Sequence, residues 1–159
     1  MRLTSYTNYT LRVLMVAAAR TPTLTTIQEV ADGFGISKAH LVKCVHQLGS
    51  WGYLATVRGN GGGFRLARPA GEIGIGEVVR RTEEGFTIVE CFDRATNTCP
   101  LIDGCRFGSA LQRATAAFLA VLDELTLADL VENGGELLGL LDLRPAEGGE
   151  RGGRRRHAG

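Results

Sequence analysis

Histidine is scarce in this chain. Its three histidines are His40, His46 and His157, so nothing from Gln47 to Arg156 offers an imidazole. That gap removes a common zinc ligand, and a common catalytic base, from most of the sequence. Long apolar runs are missing too: the longest, Val13 to Ala19, falls far short of the roughly 20 residues a membrane span needs. Nothing at the N-terminus reads as a cleavable signal. A cytoplasmic protein with no membrane partner is the expectation, and at 159 residues and 44% apolar content it has material for one core.

There is also little net charge, only +1, but the charge is unevenly placed. Residues 1–70 carry eight Lys or Arg against Glu29 and Asp32, a balance of +6, whereas residues 71–143 carry five basic against thirteen acidic side chains, a balance of −8. A polyanion would be drawn to the first part and repelled by the second. Solvated surface charge would look the same until a shape is found for it.

The first part has such a shape. Tyr6 to Ala19 carries apolar residues at three- and four-residue intervals, and Pro22 disfavours helix in the residue before it. Thr26 to Glu29 has the spacing of a capping box, which opens a second helix with Ile27, Val30, Ala31 and Phe34 on its inner side. Gly35 breaks that run. Ser37 then offers an N-cap for a third helix to about Leu48, with Leu41, Val42, Val45 and Leu48 inward and Lys38, His40, Lys43 and Gln47 outward. Two short helices around a glycine turn form a helix-turn-helix, and the outward residues suit phosphates and base edges of a DNA major groove.

Segments 53–58 and 64–67 read as two strands around Gly59-Asn60-Gly61-Gly62-Gly63, a hairpin tip that demands positive φ angles. The tip forms a wing, with Arg58 and Arg65 beside a backbone thin enough to approach a minor groove. A phosphate-binding nucleotide loop would require Gly-Lys-Ser or Gly-Lys-Thr leading into a helix, and here a strand follows. The expected fold class is therefore mainly α with a small β-hairpin wing, a winged helix-turn-helix over residues 1–84. A short helix covers Ile75 to Thr82, a cysteine loop covers 85–107, and a longer helix runs from about Gly108 to Leu125. That helix is apolar around most of its circumference, from Leu111, Phe118 and Leu122 to Ala110, Ala117 and Val121. Such a helix needs cover on two sides, and the same helix of a second copy would supply one. Thr126 to Asp129 restarts a helix that ends near Asn133-Gly134, completing a dimerisation segment over 108–143. The Gly- and Arg-rich stretch 144–159 is expected to be a disordered tail.

Of four cysteines, Cys44 falls on the inner side of the third helix and belongs to the core. Cys91, Cys99 and Cys105 lie within fifteen residues of polar loop. Zinc lacks a nearby histidine there, a catalytic cysteine lacks a base, and no enzymatic site is expected. Three thiolates with an open fourth position suit an iron–sulfur cluster; zinc, a redox disulfide and plain structural thiols remain the alternatives. A small iron–sulfur electron-transfer protein would have no use for a basic winged helix.

Taken in order, Met1 to Tyr9, the wing Val57 to Gly63, the cysteine loop and Leu125 to Val131 resemble the IscR/NsrR family of iron–sulfur winged-helix transcriptional regulators, and within it the nitric-oxide-sensing repressors. The resemblance runs from Met1 to about Leu143. It implies a homodimer on a palindromic double-stranded DNA operator, and a cluster (4Fe-4S or 2Fe-2S) on Cys91, Cys99 and Cys105. It further implies that nitric oxide destroys that cluster and releases DNA. A regulator of iron–sulfur assembly or of general redox stress would carry the same parts. DNA contacts are expected from Ser37, Lys38, His40 and Lys43, and from Arg58, Asn60, Gly61 and Arg65 on the wing. The family also uses an acidic fourth ligand from the partner subunit, near the start of the first helix. Here that position is Asn8, and no histidine follows Cys105. The fourth ligand is therefore Asn8, Asp93, Asp103 or an exogenous small molecule.

Overall fold

The computed structural model describes residues 2–144, so the tail expected from Arg144 onward lies, apart from Arg144 itself, outside the described residues. Helix α1 (Ser5–Ala19) starts where the Thr4 hydroxyl accepts the Thr7 N–H, and it buries Val13, Leu14, Val16 and Ala17 together with Thr7 and Thr10. Helix α2 (Ile27–Phe34) has the capping box its sequence promises. The Glu29 N–H donates to Thr26 Oγ1 at 3.2 Å, and the Thr26 N–H donates to Glu29 Oε2 at 2.7 Å. It ends at Gly35, whose φ of 63° is the left-handed cap that glycine adopts without cost. Helix α3 (Lys38–Ser50) begins after Ser37 as expected, but the Ser37 hydroxyl makes no capping bond. The helix also continues two residues past Leu48.

Strands β1 (Leu54–Val57) and β2 (Gly63–Leu66) pair antiparallel, with Leu54 opposite Leu66 and Val57 opposite Gly63. Thr25 and Phe64 exchange backbone hydrogen bonds of 2.9 and 2.8 Å, which sews the hairpin to the start of α2. A Cβ on Gly63 would lie 2.5 Å from the Thr25 carbonyl oxygen, so this seam requires glycine. Gly59 and Gly61 have φ of 100° and 73°, the positive angles the tip calls for.

Helix α4 (Ile75–Thr82) matches its expected bounds. Helix α5 (Arg106–Asp123) starts two residues before Gly108, so Cys105 is its cap and the cysteine loop is shorter than expected. After α6 (Leu127–Leu130), with its own capping box at Thr126, comes α7 (Gly134–Leu140). The expected end near Asn133 is thus the start of another helix. Two glycines, at 134 and 135, masked it, because they lower helix propensity where the segment begins.

The core joins α1, α3 and the hairpin to α4 through Val13, Leu14, Leu41, Leu48, Tyr53, Phe64 and Val78. Cys44 is fully buried among them, as expected. Tyr53, also fully buried, donates its hydroxyl proton to Glu77 Oε1 at 2.7 Å, while the Arg68 guanidinium stacks over its ring at 4.5 Å. Burial and the Glu77 carboxylate push the Tyr53 pKa up to about 12, so the phenol stays a donor at any working pH. This cross-link holds the root of the wing against α4.

Arg20, nearly buried at the end of α1, pairs with Glu29 at 2.8 Å. Burial opposes the Glu29 charge, but hydrogen bonds from Thr26 and Arg20 outweigh it and hold the carboxyl below its ordinary value of 4.5. A depressed carboxyl stabilises the fold above its unfolded value and loses that contribution as pH falls through the lower folded value. Urea denaturation should therefore show Glu29→Gln less stable at pH 7, with a flatter decline below about pH 4.5 than the parent. Thr26→Ala should cost about 1 kcal/mol in the same assay.

Candidate functional site

The cysteine loop is short of cover. No residue from Gly85 to Cys105 is buried, and its regular structure is one 3-10 turn, Glu90–Phe92. Even so, Cys91, Cys99 and Cys105 line one cavity of about 300 Å³, walled also by Val89, Glu90, Phe107 and Gly108. All three thiols are free and partly exposed. Gly108 lies against two of the sulfurs: a Cβ there would stand in ordinary contact, 3.7 Å from the Cys91 sulfur and 3.8 Å from that of Cys105. The Gly108 N–H donates to Cys105 Sγ at 3.3 Å, so the first turn of α5 directs a backbone dipole at that sulfur.

This arrangement suits a polynuclear cluster better than a single ion. Among the described residues, no three His, Cys, Asp or Glu side chains converge closely enough to hold one metal ion. Zinc needs its thiolates about 2.3 Å from one centre. A cluster spreads its cysteines over several irons, and three soft donors ringing a partly apolar hollow fit that demand.

Within the one subunit described, Asn8, Asp93 and Asp103 are not on this cavity wall; the Asn8 expected at the open position is the partner subunit's. Asn8 is exposed and donates from Nδ2 to the Thr4 carbonyl at 3.4 Å. It lines a different groove, of about 440 Å³, between α1 and α7 with Leu11, Met15 and Leu137. Asp93 is occupied locally. Its Oδ1 accepts the Ala95 N–H at 3.0 Å and its Oδ2 accepts the Thr96 hydroxyl at 2.8 Å, bonds that hold its carboxyl below the ordinary value. Asp103 is exposed and is not among the cavity walls.

On α3 the buried stripe is Leu41, Cys44, Val45 and Leu48. At 100° per residue the opposite face is Ala39, Val42, Lys43 and His46, and all four are exposed. Val42 was expected inward and is instead 46% exposed. Its three-residue spacing to Val45 suggested one stripe, but it lies about a third of a turn from the centre of that stripe, beyond its edge. Position on the wheel, rather than spacing alone, would have found both Val42 and His46.

The expected contact residues Ser37, Lys38, His40, Lys43, Arg58, Asn60, Gly61 and Arg65 are all exposed, in two groups. Lys38 shares a hollow with Gln28, Thr56 and Gly62 beside the wing, whereas His40 and Lys43 share one with Ser5, Tyr6 and Tyr9 of α1. The His40 ring lies against Tyr9, with centroids 5.9 Å apart.

A basic helix-turn-helix, a glycine wing and a loop gathering three thiols together define a winged-helix regulator with a soft-donor site. Residues 3–133 match the Rrf2 family, described as iron-dependent transcriptional regulators, and the chain belongs to that family. It is similar to the HTH-type transcriptional regulator NsrR of Bacillus subtilis (strain 168), being 48% identical over 145 residues that make up 91% of this chain and 99% of that protein. NsrR of Geobacillus kaustophilus (strain HTA426) is 49% identical over 145 residues, with the same two coverages. The fold is shared with T. potens IscR at a TM-score of 0.66 and 21% identity, over 86% of this chain and 90% of that one. The family resemblance read from the sequence is thereby borne out.

Burial separates the four thiols. Burial raises the Cys44 pKa, which disfavours its thiolate. In the metal-free reduced protein, native maleimide labelling read by mass spectrometry should modify Cys91, Cys99 and Cys105. Cys44 should react only after unfolding.

Proposed function

We propose that this chain is a cytoplasmic, iron–sulfur-cluster-dependent repressor that binds a palindromic operator as a homodimer and responds to nitric oxide. The observation that carries this reading is a loop with no buried residue of its own that nevertheless brings three thiols around one cavity. A segment with so little core is ordered cheaply by a cross-link and loosened by its loss. Cys91, Cys99 and Cys105 hold the cluster, 4Fe-4S or 2Fe-2S, which when bound supplies iron that reacts with nitric oxide. Phe107 and Val89 keep that side of the cavity apolar.

The remaining roles belong to the protein's own side chains. Helix α3 enters the major groove, with Lys38 and Lys43 on phosphates, His40 and His46 within reach of base edges, and Val42 suited to a thymine methyl. The Ser37 hydroxyl, free of capping, is available to a phosphate. Arg58, Asn60, Gly61 and Arg65 take the wing to the minor groove. On α5, Ala110, Ala114, Ala117 and Val121 are exposed beside Phe107, and this apolar strip packs on its counterpart in the second copy. The two α3 helices then read half-sites about one helical turn apart.

The decisive measurement is anaerobic purification with visible absorption, iron and sulfide content, and promoter affinity by fluorescence anisotropy before and after nitric oxide. A brown dimer that releases DNA on exposure is expected. A colourless protein that binds DNA regardless would overturn the sensing mechanism, and a cluster indifferent to nitric oxide but lost in air would move the signal to general redox state. Lys43→Ala should weaken binding to all sequences alike and reduce the salt slope by about 1.

A further inference from the structure

The chain beyond α7 carries a charge that none of the roles above uses. Residues 144–159 hold five arginines against Glu147 and Glu150, and both carboxylates fall before Arg151. From Arg151 to Gly159 there is no acid, and Arg154, Arg155 and Arg156 stand in a row. The segment lies outside residues 3–133 that match the family, so the family resemblance says nothing of its role. Apart from Pro145, Ala146 and Ala158 it has no apolar side chain. The apolar α1–α7 groove, which Leu140 and Leu141 line just before the segment begins, therefore has little to gain from it.

Its root is beside the helix-turn-helix. The Leu143 N–H donates to the Leu138 carbonyl at 2.9 Å, which closes the end of α7. The Leu141 carbonyl oxygen lies against α2, 3.3 Å from where a Cβ on Gly33 would stand. Ser37 follows Gly33 by four residues, so at most about 14 Å of chain separates this contact from the start of α3. From Leu141 to Arg154 an extended chain spans about 45 Å. That reach brings the three arginines to phosphates flanking the groove that α3 enters. Two surfaces compete for them. Duplex DNA offers one negative charge per about 1.7 Å of axis. The acidic residues of 71–143 are spread among basic ones and partly paired, Asp123 with Arg80 and Glu77 with Arg81. Phosphate is also the partner that a guanidinium fork fits.

We propose that residues 144–159 serve as a basic arm that grips DNA phosphates outside the recognition site; this rests on the DNA-binding reading above. Such contacts carry no sequence information, so the arm holds the regulator on any duplex and assists its search for the operator. The test uses full-length anaerobic protein and measures the anisotropy of a promoter duplex and of an unrelated mixed-sequence duplex across a salt series. The triple variant Arg154→Gln, Arg155→Gln, Arg156→Gln should bind both duplexes more weakly, with unchanged iron content and thermal midpoint. Its slope of log affinity against log salt should be shallower by at least about 2, since each phosphate given up removes about 0.9 and a dimer has two arms. Glu147→Gln with Glu150→Gln should bind both more tightly. An unchanged slope in the arginine variant, with Lys43→Ala still lowering it, overturns the proposal and leaves the DNA reading standing. Tighter binding by the arginine variant also overturns it, because the arm is then held by the protein's own acidic residues. A loss confined to the promoter duplex makes the arginines readers of sequence and overturns it as well. A wild type whose affinity for either duplex ignores salt sinks both readings.

Discussion

Helix α1 packs against α3, β2 and α4, and buried threonines at its start tie it to the end of α4. Thr7 and Thr10 are fully buried, and a buried hydroxyl without a partner is costly. The Thr7 hydroxyl shares its proton between Thr82, at 2.9 Å, and Glu83. Glu83 also accepts the Thr4 N–H at 2.8 Å and the Thr4 hydroxyl at 3.0 Å. One carboxylate at the end of α4 thus pins the start of α1. The next few residues lead into the cysteine loop, and the first half of α1 also carries Tyr9 against His40 of α3.

The wing depends on a second set of constraints with the same logic. Its strands are four residues each, too short to hold a place by themselves. Phe64 is buried under the Thr25 seam, and Tyr53 is locked to Glu77 with Arg68 above it. The tip is therefore thin and glycine-built while its root is rigid. That combination lets Arg58 and Arg65 be presented at a set distance from α3. By contrast, α4 and α5 meet through a small-residue contact: a Cβ on Gly76 would collide with the Asp123 carboxylate that pairs with Arg80. The exposed ion pair adds little energy, and Gly76 leaves room for the Asp123 carboxylate to lie close against α4.

Legibility followed the range of the forces involved. The capping boxes at Thr26 and Thr126, the stop at Gly35 and the positive φ at Gly59 and Gly61 are contests among neighbouring backbone groups, and all could be read directly from the residues. The third helix was found but its face was set slightly wrong, because Val42 and Val45 satisfy the same spacing while only one touches the core. Helix α7 was missed since Gly134 and Gly135 argue against helix locally. The packing of Leu138 against the core overrides them.

Thus the sequence by itself determined the helix-turn-helix, the glycine wing, the membership of Cys44 in the core and the grouping of three cysteines in one loop. Each follows from caps, periodicity or composition acting over a few residues. Only the tertiary structure decided which flank of α3 stays bare and that Asn8 lines the α1–α7 groove of its own subunit. It alone gathered Cys91, Cys99 and Cys105 around one cavity and bound Asp93 within its own turn. Those outcomes depend on how segments dock in space and on which competing hydrogen bond wins, and no local pattern in the chain encodes either.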